Sequence, residues 1–178
     1  RRSAMARRPS PAPSPRTRVR RVHDRAVYDR DTIDGILDAA LVCHLGFVHD
    51  GQPFVIPTLH ARVEDHVLVH GSAASRMLRT LRDGVDACVT VTLDDGAVVD
   101  GVLEHGARSV FEHSVNYRSV VVLGRAVQID DRDEKLEALH ALTERLLPGR
   151  WADARQPLAK ELKATSILRL PLDEASAK

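Results

Sequence analysis

The spacing of apolar residues changes period several times along the chain, and each change marks an element. Ile33, Ile36, Leu37 and Ala40 recur at helical spacing behind Asp31, which predicts a short helix capped by that aspartate. From residue 41 the pattern becomes strand-like. Runs over 41–49 and 54–63, joined across Asp50 and Gly51, predict a β-hairpin. Pro57 interrupts the second run and marks either an edge or a bulge, because proline cannot donate to a ladder. Glu64 and Asp65 turn the chain into a third apolar run over 67–70. Gly71 then permits a sharp turn, Ser72 suits an N-cap, and Met77, Leu78 and Leu81 predict a helix closed by Gly84. Residues 87–93 read as another strand, with 97–103 pairing back on it and 104–111 unassigned. Residues 114–129 read as one long strand bent at Gly124. Asp131 and Glu134 form a capping-box signature for a helix carrying Leu136, Leu139, Leu142 and Leu146, which Pro148 and Gly149 end. Pro157 opens a short helix to Leu162, and 166–172 form a last strand. Six or seven strands in meander order, with three or four helices and no βαβ alternation, predict a mainly-β fold, an antiparallel barrel with peripheral helices.

Composition narrows what such a barrel does. A chain of 178 residues has room for one well-buried domain. Hydrophobic residues make up 43% of it and aromatics only 3%, so the core must be aliphatic and a stacking platform for single-stranded nucleic acid is not available. The net charge of +1 conceals an asymmetry: residues 1–22 hold eight arginines and no acid, leaving 18 basic against 25 acidic residues in the remainder, a net charge near −7. Residues 1–22 therefore read as a disordered basic Arg/Pro/Ser-rich arm, and 23–178 as the single folded domain. An acidic body does not attract phosphate polymers over its whole surface, so nucleic acid is not the expected partner and any phosphate needs a local site. Cys43 and Cys88 lie in strand-like apolar runs and read as reduced core thiols. No apolar run reaches the roughly 18 residues of a membrane span, and no apolar segment follows the basic arm to form a signal peptide; a cytoplasmic location is expected.

The segment from His70 to Arg76 has the composition of a phosphate cradle. Helix-start amides, the hydroxyls of Ser72 and Ser75, and the guanidinium of Arg76 offer donors to an anion. The same residues also suit an ordinary capped helix with a surface arginine. Nine histidines show no metal-ligand spacing, so no metal site is expected. His60, and His113 beside Glu112, are candidate substrate contacts, with surface or core roles open to each.

Taken together, Tyr28-Asp29-Arg30, Gly51-Gln52-Pro53-Phe54-Val55-Ile56-Pro57-Thr58, the His70 to Arg76 segment and Asn116-Tyr117-Arg118-Ser119-Val120 resemble the pyridoxamine 5'-phosphate oxidase-like, FMN-binding split-barrel proteins. The nearest group is that of the nitroimidazole-resistance and flavin-nucleotide-binding proteins. The resemblance implies a six-stranded antiparallel split β-barrel, a homodimer, and FMN at the subunit interface. It places the flavin phosphate at His70, Gly71, Ser72, Ser75, Arg76 and Met77, the isoalloxazine against Ile56, Pro57 and Thr58, and a ring contact and second cation at Asn116, Tyr117, Arg118 and Ser119. The activity it implies is FMN-dependent oxidoreduction of a small molecule; true pyridoxamine phosphate oxidation lacks a substrate-phosphate cluster beyond those residues. The alternative is a non-enzymatic flavin, deazaflavin or haem binding protein of the same fold. Relative to the family, Asp100 to Gly106 is an insertion near the expected flavin pocket.

Overall fold

A computed structural model of the chain describes residues 10–97 and 115–178. The strand proposed over 97–103 and the insertion at 100–106 lie outside those residues, apart from Ala97 itself, as do His113 and Glu112. Helix α1 (Arg30–Ala39) opens the body, followed by strands β1 (Val42–His49), β2 (Gln52–Val63) and β3 (His66–Ser72). Helix α2 (Arg76–Arg82) leads to β4 (Asp86–Ala97), and after the undescribed segment come β5 (Val115–Arg125) and β6 (Val127–Gln128). Helices α3 (Arg132–Leu146), α4 (Arg150–Asp153) and α5 (Ala159–Ala164) precede β7 (Thr165–Pro171) and β8 (Ala175–Ala177).

The eight strands form one curled antiparallel sheet in the order β6-β7-β3-β2-β1-β4-β5-β8. The described count is eight, not the six expected. The two additional strands are the shortest: the run expected as one long strand breaks at Ala126, so that Val127 and Gln128 cross over to pair with β7, and Ala175–Ala177 return to pair with β5. The long strands make a half-barrel whose outer strands approach each other at Gly124. A Cβ there would stand 3.3 Å from Leu170 Cδ1, so the glycine is what lets β5 come this close to β7.

Turn chemistry sets the register. Asp50 and Gly51 both take positive φ, 50° and 76°, as a two-residue hairpin turn requires, and β1 then pairs β2 without interruption from His49↔Gln52 to Val42↔Leu59. Pro57 therefore sits in a regular register and marks an edge rather than a bulge. The cap of α1 is Asp29 rather than Asp31: its carboxylate accepts from the Thr32 amide at 2.9 Å. Asp131 caps α3 as its sequence predicts, accepting from the amides of Asp133 and Glu134.

The core is aliphatic. Leu45, Val67, Val69, Val89, Val91, Val120, Val122, Leu168 and Leu170 line the inside of the sheet, and Ile33, Ile36 and Leu37 of α1 with Met77, Leu78 and Leu81 of α2 pack into it. A smaller cluster of Leu68, Ile129, Ala138 and Ile167 fixes α3 to the other face of β3 and β7. Cys43 is buried, which pushes its thiol pKa up to about 12, and Cys88 is half-buried; both are free thiols. From Ser10 the basic arm lies along the body. Arg16 pairs with Glu174, Thr17 is 4% exposed, and the Val19 amide donates to the Tyr28 hydroxyl at 2.9 Å.

Candidate functional site

The site begins where β2 leaves β3. Strand β2 pairs with β1 over its length from Gln52 to Leu59, but with β3 only from His60 to Val63. The His60 amide donates to the Leu41 carbonyl at 3.2 Å, and alternation along an antiparallel pair then turns the backbone of Phe54, Ile56 and Thr58 toward β1. The backbone groups of Val55 and Pro57 point the other way, to the side β3 has left. Proline loses no ladder bond in that position. The result is a split lined by free main-chain polar groups, which is the kind of edge that can read the polar rim of a flat heterocycle.

The end of β3 and the start of α2 stand across this split. Strand β3 runs through Gly71 and Ser72, later than the apolar run alone suggests, and the helix starts at Arg76. Its N-cap is Ser75, not Ser72, and Ser75 makes no side-chain capping bond. The loop amides are committed: Ala73 donates to the Ala164 carbonyl at 2.8 Å, Ala74 to Ser72 Oγ at 3.2 Å and Ser75 to the Ser72 carbonyl at 2.9 Å. The segment thus does not offer these three loop amides to an anion. What it offers is Arg76, whose guanidinium carbon lies 4.1 Å from the centroid of the Phe54 ring. Phe54 in turn stacks on Phe47, with centroids 5.6 Å apart. The side chain is exposed, pre-oriented by the ring, and without an ion pair among the described residues.

The other expected site residues are distributed unevenly. Gly71 packs inward against Leu78, whose Cδ1 would stand 3.1 Å from a Cβ, and Met77 is buried in the core beside it. His70, one residue earlier, faces the opposite side of β3 from Gly71. Its Nδ1 is buried without a hydrogen-bond partner, and burial holds its pKa below the usual histidine range. Asn116, Tyr117 and Arg118 are exposed at the start of β5, paired to the end of β4. Arg118 is held by Asp95 through a two-pronged ion pair, with Nη2–Oδ1 at 2.7 Å and Nε–Oδ2 at 2.8 Å. That pairing lowers the Asp95 pKa and leaves the arginine charge already compensated.

His60 is a core residue. It is 0% exposed, and its Nε2–H donates to the Leu37 carbonyl at 3.0 Å, so it joins β2 to the end of α1 and reaches no surface from which to meet a substrate. Sequence reasoning missed two residues that line a cleft of about 540 Å³ beside Arg76, namely Arg79 and His49. Arg79 lies three residues beyond Arg76 on the exposed side of α2, a spacing that was visible in the sequence. His49 is 31 positions away in the chain from Thr80, to which its Nδ1 is hydrogen-bonded at 2.9 Å, and nothing local signals it.

This curled sheet with a split beside β2 defines the class of protein. The profile of the family described as pyridoxamine 5'-phosphate oxidase matches residues 29–178, and the chain belongs to that family. Among solved structures it is similar to the flavocytochrome Anf3 from Azotobacter vinelandii, at 43% identity over 94% of this chain and 74% of that one, with a TM-score of 0.85. It is also similar to an FAD and heme binding protein from Mycobacterium smegmatis, at 40% identity over 86% of this chain and 72% of that one, TM-score 0.79. A protein assigned to 5-nitroimidazole antibiotic resistance from Bacteroides thetaiotaomicron shares the fold, at 19% identity over 85% of this chain and 84% of that one, TM-score 0.67. No curated protein matches the chain. No helix among the described residues is long and apolar enough to cross a membrane.

The buried histidines make stability depend on pH. Burial lowers the pKa of His60, against the opposing effect of its Leu37 hydrogen bond, so the folded state keeps this ring neutral where the unfolded chain takes up a proton. The sign is destabilising on acidification: His60 contributes nothing to the slope above about pH 6.5 and an increasing loss below it. In urea denaturation between pH 7.5 and 5, His60→Leu is expected to flatten the decline and leave the part due to His70; an unchanged slope would exclude this role.

Proposed function

We propose that the chain is a flavin-binding oxidoreductase acting on a small molecule, with the flavin mononucleotide moiety set in the split between β2 and the start of α2. The observation that carries this reading is Arg76, an uncompensated guanidinium held on an aromatic ring at the mouth of the split in a body of net charge near −7. A guanidinium so placed suits a phosphate, which accepts two parallel N–H bonds from it. Ser72 and Ser75 stand beside it with hydroxyl donors, while Val55 and Pro57 present main-chain groups, and Ile56 and Thr58 flank them, where a ring would lie. A bound flavin itself supplies the hydride and electron chemistry, so the protein has only to hold the ring, neutralise the phosphate and set local polarity.

The same reading includes a homodimer. Val42, Val48 and Val55 are 50%, 53% and 67% exposed on the outer face of β1 and β2, and Tyr117 is 45% exposed on β5. The β1–β2 register places the three valines on one side of the sheet, an apolar face of the sort that soluble monomers rarely leave bare. Covering it with a second copy brings Asn116, Tyr117 and Ser119 of one subunit toward the interface, as the family resemblance implies.

A second reading, haem binding, is favoured by His70. A half-exposed imidazole kept neutral by burial, with no hydrogen-bond partner of its own, is in the ligand form for a metal. Two of the similar proteins are a flavocytochrome and an FAD and heme binding protein. Haem and flavin reside on opposite sides of β3 in this reading, so the two do not compete for residues.

Arg76→Ala is expected to weaken flavin binding about tenfold to a hundredfold in fluorescence titration, the value of a charge-assisted contact, and unchanged affinity would remove the phosphate assignment. Val55→Asp is expected to convert a dimer to a monomer in light scattering and to release flavin with it. For haem, titration of the purified protein with hemin should give a Soret band that His70→Ala shifts or abolishes while flavin binding persists; the same band in both proteins would eliminate His70 as the iron ligand.

A further inference from the structure

We infer that the pocket between the basic arm and the segment leading into α1 binds a small organic dianion, a phosphate ester or dicarboxylate with an apolar body, and that Arg18 and Arg20 hold its charge. The inference is independent of the flavin reading above and concerns a cavity that shares no residue with the cleft beside Arg76.

The pocket exists because the arm is tied down on both sides of these two arginines. Before them, Arg16 pairs with Glu174 and Thr17 is buried. After them, Lys178 Nζ donates to the Arg21 carbonyl at 3.3 Å. Between these anchors the Val19 amide donates to the Tyr28 hydroxyl at 2.9 Å, joining the arm to the opposite wall. That wall is fixed in its own right: His23–Arg25 form a single turn of 3₁₀ helix, and Val27 exchanges two main-chain bonds with Ala177 of β8. The cavity between the two walls measures about 720 Å³, within the roughly 300–1,000 Å³ of small-molecule sites.

Its lining is basic in a body that is acidic. Arg18, Arg20 and His23 line it, and no carboxylate does. Arg16, two residues before Arg18, shows what a carboxylate within reach does to an arginine on this stretch: Glu174 takes it. The guanidinium groups of Arg18 and Arg20 have no ion pair or hydrogen bond among the described residues. Those of Arg21 and Arg25 have none either, but they do not line the cavity. Asp24 and Asp29 are near in sequence yet outside the lining, and Asp29 accepts from the Thr32 amide as the cap of α1. Two guanidinium groups on one wall repel each other, and an anion between them removes that cost.

The chemistry of the walls defines the ligand class. A guanidinium presents parallel N–H donors that match a carboxylate or phosphate, and a pair of them matches two negative charges. The Tyr28 hydroxyl adds a donor, since its oxygen accepts from Val19 and its own proton has no acceptor among the described residues. Pro11, Ala12, Val19 and Ala26 supply apolar wall. A bare inorganic ion leaves that wall unused; an oxoanion carried on a ring or short chain uses both parts.

The test is isothermal titration calorimetry of the full chain with phenyl phosphate and with phthalate, and with phenol and inorganic phosphate as the separate halves of the first. The wild-type protein is expected to bind at least one of the dianions at one site per chain, with phenol and inorganic phosphate each about tenfold weaker or more. The tighter dianion assigns the headgroup. Replacing Arg18→Gln and Arg20→Gln together should lower its affinity about tenfold or more, and Arg21→Gln, outside the lining, less than about twofold. All three side chains are exposed, so these variants should fold as the wild type does. If Arg21→Gln weakens binding as much as the pair, the effect is diffuse charge and the inference is overturned. It is also overturned if neither dianion binds, if inorganic phosphate binds as tightly as phenyl phosphate, or if Arg76→Ala removes binding that the arm pair leaves intact.

Discussion

The structure depends on a choice made by the backbone of β2. A strand has two hydrogen-bonding edges, and from Gln52 to Leu59 this one uses only the edge toward β1. Had β3 continued alongside, the barrel would be sealed and the groups of Val55 and Pro57 would be spent on a neighbour. Because β3 turns away through Gly71 and Ser72 into α2, those groups stay in play and face a helix that begins with an arginine. The opening is therefore part of the fold's pairing scheme and not a defect in packing. Pro57 is compatible with it because it sits where no donor is required.

Electrostatics then makes the opening selective. The body is acidic, and its other described arginines between 30 and 145 are neutralised locally by carboxylates or main-chain carbonyls. Arg76 and Arg79 share one cleft with no ion pair to either among the described residues, a local positive feature that favours phosphate. The Phe47–Phe54 stack that carries Arg76 uses two of the chain's three phenylalanines, which is a large share for a protein with so few aromatic rings.

Much of the fold was legible because local chemistry and tertiary packing agreed. The apolar spacing of Ile33, Ile36 and Leu37, the Asp50–Gly51 turn and the Asp131 cap each specify their element without distant help, and the structure follows them. What the sequence did not disclose were features set by distant partners. Ser72 has the chemistry of a cap, yet pairing with Thr165 on β7 keeps it in a strand and moves the helix start to Arg76. Val127 and Gln128 continue an apolar run, yet β7 captures them as a separate strand. In the site, Arg76 and Pro57 were readable as types suited to a phosphate and an edge. The burial of His60, the reversal of His70 and the cleft shared by His49 and Arg79 arise from contacts between residues far apart in the chain, to which periodicity is blind.

The two ends of the described chain are laced together. Arg16 meets Glu174, Val27 bridges Ala177 in both directions, and β8 closes on β5. Contacts that span some 150 positions cannot form until nearly all of the barrel between them is present, and they carry the loop-closure cost of that separation. Until then β5 has an uncovered margin, and the nascent protein carries an open sheet edge that invites pairing with another chain. Closure of this barrel is accordingly a long-range event, of the kind that slows folding relative to local helix formation.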